Sequence, residues 1–330
     1  MFIHVGDIVT KGPHKDSMAL LTYLASNNIT GVRGNNDQTV VEWRGWLDWI
    51  ASLPGGKDWL NRLEKMSPNI GNKKKKLLDW MKQQRKAASK EDKKWWKLIP
   101  DDWVLFSDHY KVARDMSPTE FQYLLDLPLR LYVPSAHVFI VHAGLLPSNP
   151  NYPYYDERQP LARVPKLLGT SVDALKLSKE VERLRVLQDL SLLTMIPQNL
   201  IPWVVLNMRS VKNGKVTKKM KGTPWSDLWK QEMNRCVGYN QELSHDAVDG
   251  DRMEISGSKK GSKQAMPCYP STVIYGHAAA RGLDLKRWSI GLDSGCVSTF
   301  SCLLAFEFSL NIQHLIGLWK KAVWVGYRRY

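Results

Sequence analysis

The sequence predicts an α/β fold, because short apolar β-runs alternate with helical stretches and the runs end in glycine turns bearing polar side chains. The first 37 residues set the pattern. FIHVGDIVTKGP and NNITGVRGNND are each an apolar strand closed by a tight turn. The first turn delivers Asp7 and Lys11, the second Asn35, Asn36 and Asp37. The stretch between them, HKDSMALLTYLASNN, reads as a helix, so strand, helix and strand make a crossover unit with both turns at one sheet edge. Two later β-runs, FIVHAGLLP and VIYGHAAARG, end in the same way on His142 and His277.

The remaining elements follow in order. TVVEWRGWLDWIASL predicts a helix with Val41, Trp46, Trp49, Ile50 and Leu53 on one side, ended by Pro54-Gly55-Gly56. Residues 57–97 read as a basic insert of broken helices with frayed ends, containing KKKK and KWWK. Ser117, Pro118 and Glu120 form a capping box that opens a helix. LRLYV and HVFIVH are β, punctuated by Pro134. Residues 147–170 are an ordered surface loop, and VDALKLSKEVERLRVLQDLSLL is a helix that stops before Pro197. PWVVLNMRSV reads as a β-run, KNGKV as a turn or hairpin, and 240–265 as a mobile loop. STVIYGH and RWSIGLDSG are strands with glycine turns, and another strand is expected near 302–308.

A chain of 330 residues with fourteen tryptophans can bury a sizeable core. The apolar tail at 298–330 carries Glu307, Asn311, Gln313 and His314 and reads as no membrane span. The four cysteines have no CxxC spacing and read as ordinary thiols. A net charge of +15 suggests a polyanionic partner, be it nucleic acid, polyphosphate or an anionic membrane surface, and residues 57–97 hold fourteen Lys/Arg against five Asp/Glu. KWWK could stack bases, but nothing resembles a nucleic-acid module, and no specific nucleic-acid partner is expected.

The turn residues define the chemistry. Asp7, Asn35, His142 and His277 offer a carboxylate, an amide oxygen and two imidazoles, a mixed set that favours Zn, Mn or Co. Two such cations about 4 Å apart would hold a hydroxide and clamp phosphoryl oxygens during in-line attack. Lys11 suits a phosphate as a point cation, and Arg209 and Arg281, each after an apolar run, are further candidates. Each residue also has a plain structural reading. Asp7 could brace a turn, Asn36 and Asp37 could cap the next helix, each histidine could be buried, and Lys11 could be an exposed lysine.

GDIVTKGP, VRGNND, VHAGL and YGH together resemble the signature blocks of the calcineurin-like metallophosphoesterases, in the phosphoprotein-phosphatase branch. Within that branch the chain is similar to the diadenosine-tetraphosphatase-like group and to the fungal zinc-dependent endopolyphosphatases. The resemblance spans residues 3–297 around the insert and implies a sandwich of two mixed sheets flanked by helices. It implies two divalent metals held by Asp7, Asn35, His142 and His277, with Lys11 in place of a phosphate-binding arginine.

The chain departs from that pattern in three places. The Gly-Asp-x-His-Gly block expected upstream is absent, which would leave one metal poor in ligands, so that the chain holds two metals, one or none. The proton-donating histidine of the Gly-Asn-His block is Asn36, which favours anhydrides, whose leaving group departs with little protonation. After Val297 the usual continuation is lost. The expected function is metal-dependent phosphoanhydride hydrolysis, with inorganic polyphosphate cut internally. The alternatives are a phosphoprotein or dinucleoside-polyphosphate phosphatase, and an inactive polyanion-binding scaffold. The resemblance implies a fungal vacuole, with the cytoplasm as the alternative for a chain bearing no anchor.

Overall fold

A computed structural model describes residues 2–10, 12–68, 70–71, 73–166, 178–239, 265–293, 302–305 and 323–326. The chain divides into two compact units, Met1–Pro128 and Leu129–Tyr330.

Among the described residues the first unit holds seven helices: α1 (His14–Ser26), α2 (Asn35–Ser52), α3 (Gly56–Lys65), α4 (Lys74–Ala87), α5 (Lys93–Trp96), α6 (Asp108–Asp115) and α7 (Pro118–Asp126). The two expected strands reduce to a single parallel bridge between His4 and Gly31. His4 N–H donates to Thr30 O and Val32 N–H to His4 O, and α1 runs between them as predicted. The Ser117 hydroxyl accepts from Glu120 N–H while the Glu120 carboxylate accepts from Ser117 N–H, so the capping box forms as read.

Residues 57–97 contradict the picture of frayed, solvated helices. Trp59 and Leu63 of α3, Leu77 and Met81 of α4, and Trp95 and Trp96 of α5 are all buried in one core with α2. Trp59 stacks on Trp95 with centroids 5.8 Å apart. Both tryptophans of KWWK are therefore inside, and neither is available to stack a base. The lysines lie on the opposite face, with Lys73, Lys74, Lys75, Lys76, Lys82 and Lys86 all exposed. On α2 the buried face is Trp43, Trp46, Leu47 and Ile50, while Trp49 is 46% exposed. The spacing i, i+3, i+4, i+7 selects Trp43 over Trp49.

The second unit holds the sheets. β1 (Arg130–Val133) and β2 (Val138–Val141) form an antiparallel hairpin across Pro134–Ala136. Then come α8 (Ser178–Thr194), α9 (Pro197–Leu200), α10 (Pro202–Asn207), β3 (Ser210–Lys212), β4 (Lys215–Thr217), β5 (Thr223–Pro224) and α11 (Trp225–Met233). β6 (Thr272–Tyr275), β7 (Asp284–Lys286), β8 (Ser289–Gly291), β9 (Cys302–Ala305) and β10 (Val323–Gly326) complete it. The main sheet is mixed, with order β1-β2-β6-β8-β7, and its central pairs β2–β6 and β6–β8 are parallel. β4-β3-β5 and β10-β9 are antiparallel. Helices flank the main sheet: Leu192 of α8, Val204 and Val205 of α10 and Trp229 of α11 share a core with Phe139, Val141, Val273 and Tyr275. The fold is α/β, a mixed sheet flanked by helices, as the sequence predicts.

Two expectations fail in this unit. PWVVLNMRSV is helical over Pro202–Asn207 and extended only from Ser210. Its continuous apolar run has no period to separate strand from helix, and Pro202 occupies the first helical turn, where a missing N–H costs nothing. The cysteines are not all thiols, because Cys236 and Cys268 form a disulfide with Cα atoms 4.6 Å apart. Asn213 and Gly214, both with positive φ, make the β3–β4 turn as read. The expected loop at 240–265 falls almost wholly outside the described residues, as do residues 172–177 of the expected helix and Lys11. No helix among the described residues is long and apolar enough to cross a membrane.

Candidate functional site

In the first unit the site residues are gathered by one carboxylate. Asp37 is the third residue of α2 and is fully buried. Its Oδ2 accepts the N–H groups of Gly34 and Asp7, both at 2.8 Å, and its Oδ1 accepts those of Ile8 at 3.0 Å and Val9 at 3.3 Å. Asp37 is thus not the helix N-cap but the brace that ties the Asp7 turn to the start of α2. The turn needs that brace, since Gly6 and Asp7 adopt φ of 84° and 57°, a left-handed pair that aims successive N–H groups at one anion. Gly34 has no alternative either. A methyl there would overlap the Asp7 backbone nitrogen and Oδ1.

Asp7 in turn accepts Asn36 N–H at 2.9 Å through Oδ1 and the Asn36 amide Nδ2 at 2.5 Å through Oδ2. The Asn36 carbonyl oxygen faces His109, with Nε2 at 2.9 Å. The same Nε2 lies 3.4 Å from the Thr10 hydroxyl. Asn35 opens α2, its carbonyl accepting the Thr39 hydroxyl at 3.0 Å. His109 is a site residue that sequence reading missed. It ends no β-run, and it lies 73 residues from Asn36 at the start of α6.

In the second unit β2 and β6 are parallel neighbours in register Ile140 to Ile274, so their carboxyl ends share one edge. His142 and His277 follow those ends, and Gly276 N–H donates to His142 O at 2.9 Å. His142 Nε2 and His277 Nδ1 then meet at 3.1 Å. His142 is 1% exposed. Ligands of open α/β sheets bind at such strand ends. Arg209 donates from Nε and Nη2 to His277 O at 3.2 and 3.1 Å and from Nη1 to Lys218 O at 3.1 Å. Its guanidinium holds the His277 turn, and Arg281 Nη2 donates to Arg209 O at 2.7 Å.

The donors fit divalent cations of the zinc type. Two imidazole nitrogens converging at 3.1 Å make a ready chelate for one.

Residues 1–156 match the family model of the calcineurin-like phosphoesterases. The matched residues are just under half of the 330 in the chain, and they include Asp7, Asn35, Asn36, Asp37 and His142. A 63-residue stretch, 19% of this chain, is 35% identical to serine/threonine-protein phosphatase 1 of Salmonella typhimurium and covers 28% of that protein. The match therefore spans under a third of that relative's length. A crystal structure described as a candidate diadenosine tetraphosphatase aligns over 92% of this chain and 73% of its own at 19% identity. Its TM-score of 0.39 is too low to carry an argument.

Proposed function

We propose that this chain is a metal-dependent phosphoanhydride hydrolase that cuts inorganic polyphosphate internally. The observation that carries the reading is the placement of Asp7 against Asn36 and of His142 against His277, the first three of them within the residues that match the calcineurin-like phosphoesterase model. Asp7, Asn35, His142 and His277 would hold the cations, which when bound polarise phosphoryl oxygens and neutralise their charge. Asp37 holds the Asp7 turn, and Arg209 holds the His277 turn through its carbonyl. Lys11 would meet the phosphate as a point charge. The exposed lysines of α3 to α5 support a polyanionic substrate, since they raise its local concentration electrostatically.

The test is the full chain incubated with long-chain polyphosphate and Zn, Mn or Co. The expected products are shorter chains resolved on a gel. Release of terminal phosphate alone would overturn internal cleavage. The 35% identical stretch favours a second reading, a phosphoprotein phosphatase, which predicts faster turnover of a phosphopeptide than of polyphosphate. Polyanion binding with metal content near zero would identify an inactive scaffold instead. The Cys236–Cys268 bond supports residence in an oxidising compartment rather than the cytosol, in keeping with a vacuolar location.

A further inference from the structure

Three histidines lie in residues 1–128, and of these His109 faces Asn36, the residue that bonds the Asp7 carboxylate. His4 is held between Tyr123 and Gly6, and His14 pairs with Asp115 at the surface. His109 is set by the first turn of α6, where the Ser107 hydroxyl accepts Tyr110 N–H. The Asn36 amide fixes what it presents. The Asp7 carboxylate can only accept, so Nδ2 of Asn36 must face it and Oδ1 must face His109. Nε2 of His109 therefore carries a hydrogen, donated to Asn36 Oδ1, with the Thr10 hydroxyl 3.4 Å from the same nitrogen.

We propose that His109 is the proton donor to the leaving group, and that it opens the site to phosphate esters as well as anhydrides. This rests on the hydrolase reading above. Asn36 cannot give up a proton at a useful pKa, whereas an imidazolium can. Water supplies the new bond to phosphorus. As the bond from phosphorus to the leaving oxygen breaks, its electron pair stays on that oxygen and the Nε2 proton of the imidazolium passes to it. The ring is left neutral with its hydrogen on Nδ1, and solvent reprotonates it, since His109 is only half-buried. Asn36 then no longer restricts the site to anhydrides, because the proton donor comes from a different helix.

Leaving-group dependence tests this on the full chain with Mn, using 4-nitrophenyl phosphate and phenyl phosphate. Phenolate needs protonation far more than nitrophenolate. His109→Ala is expected to slow phenyl phosphate by about 10²-fold or more and 4-nitrophenyl phosphate by less than about 10-fold. The ratio is independent of how much variant folds, because both substrates read the same active fraction. His109→Gln retains an N–H for Asn36 Oδ1 but has no transferable proton, and it is expected to show the same selective loss. Equal slowing of both substrates, or restoration of phenyl phosphate turnover by glutamine, reduces His109 to a positioning residue and overturns the proposal. A wild-type chain inactive on these esters and on polyphosphate with every metal overturns the hydrolase reading itself, and this inference with it.

Discussion

The buried carboxylate of Asp37 accepts the backbone N–H of Asp7 at 2.8 Å, across 30 residues of chain. One acceptor thereby fixes the left-handed turn and the start of α2 together, and the position of Asp7 depends on it. Asp37→Asn puts an NH2 group against backbone donors and removes the charge that four N–H groups share. The expected loss is about 2–4 kcal/mol, read as a lower urea midpoint at unchanged m-value. A midpoint equal to wild type would show that the turn is held by other contacts.

Asp7→Asn keeps an oxygen for Asn36 N–H but removes the one carboxylate proposed as a ligand. Metal content by atomic emission and turnover should both fall, the latter by about 10²-fold or more, with the melting temperature nearly unchanged. Wild-type metal content and rate in this variant would remove Asp7 from the mechanism.

Two buried groups give opposite pH signatures. Burial lowers His4 to about 4, and Gly6 N–H donating to its Nδ1 leaves no place for a second proton. The stability it contributes is full above its ordinary pKa of 6.5 and is lost as pH falls through about 4. Burial raises Glu232 to about 7, against the Ser148 hydroxyl and the Arg235 charge, which both pull it down. Its contribution is full below 4.5 and is lost as pH rises through about 7. Glu232→Gln keeps an acceptor for Ser148 and should stabilise the chain at pH 8, on the order of 1–3 kcal/mol, with little effect at pH 5. Parallel stability profiles for variant and wild type from pH 5 to 8 would refute the Glu232 assignment.

The disulfide closes a separation of 32 residues, for which loop entropy predicts about 3–4 kcal/mol. Dithiothreitol should lower the melting temperature by several degrees. The double variant Cys236→Ser/Cys268→Ser should melt near the reduced protein and ignore the reductant. Thiol titration that finds both cysteines reactive before reduction would rule the bond out.

By itself the sequence determined what is local. The Ser117–Glu120 box, the Asn213-Gly214 turn, the β-runs LRLYV and HVFIVH and the strand leading to His277 all rest on side chains within a few residues of the backbone they control. The motif turns were legible for the same reason. Tertiary structure alone decided which face of α2 is buried, that residues 57–97 close a tryptophan core, that PWVVLN is helical, and that Cys236 meets Cys268. It also decided the partners of Asp37 and His109. Their partners lie 30 and 73 residues away, and a contact at that distance leaves no period, cap or turn residue for a sequence to display. A carboxylate that binds a neighbouring turn and one that binds a cation are spelled alike, and only the donors folded around each distinguish them.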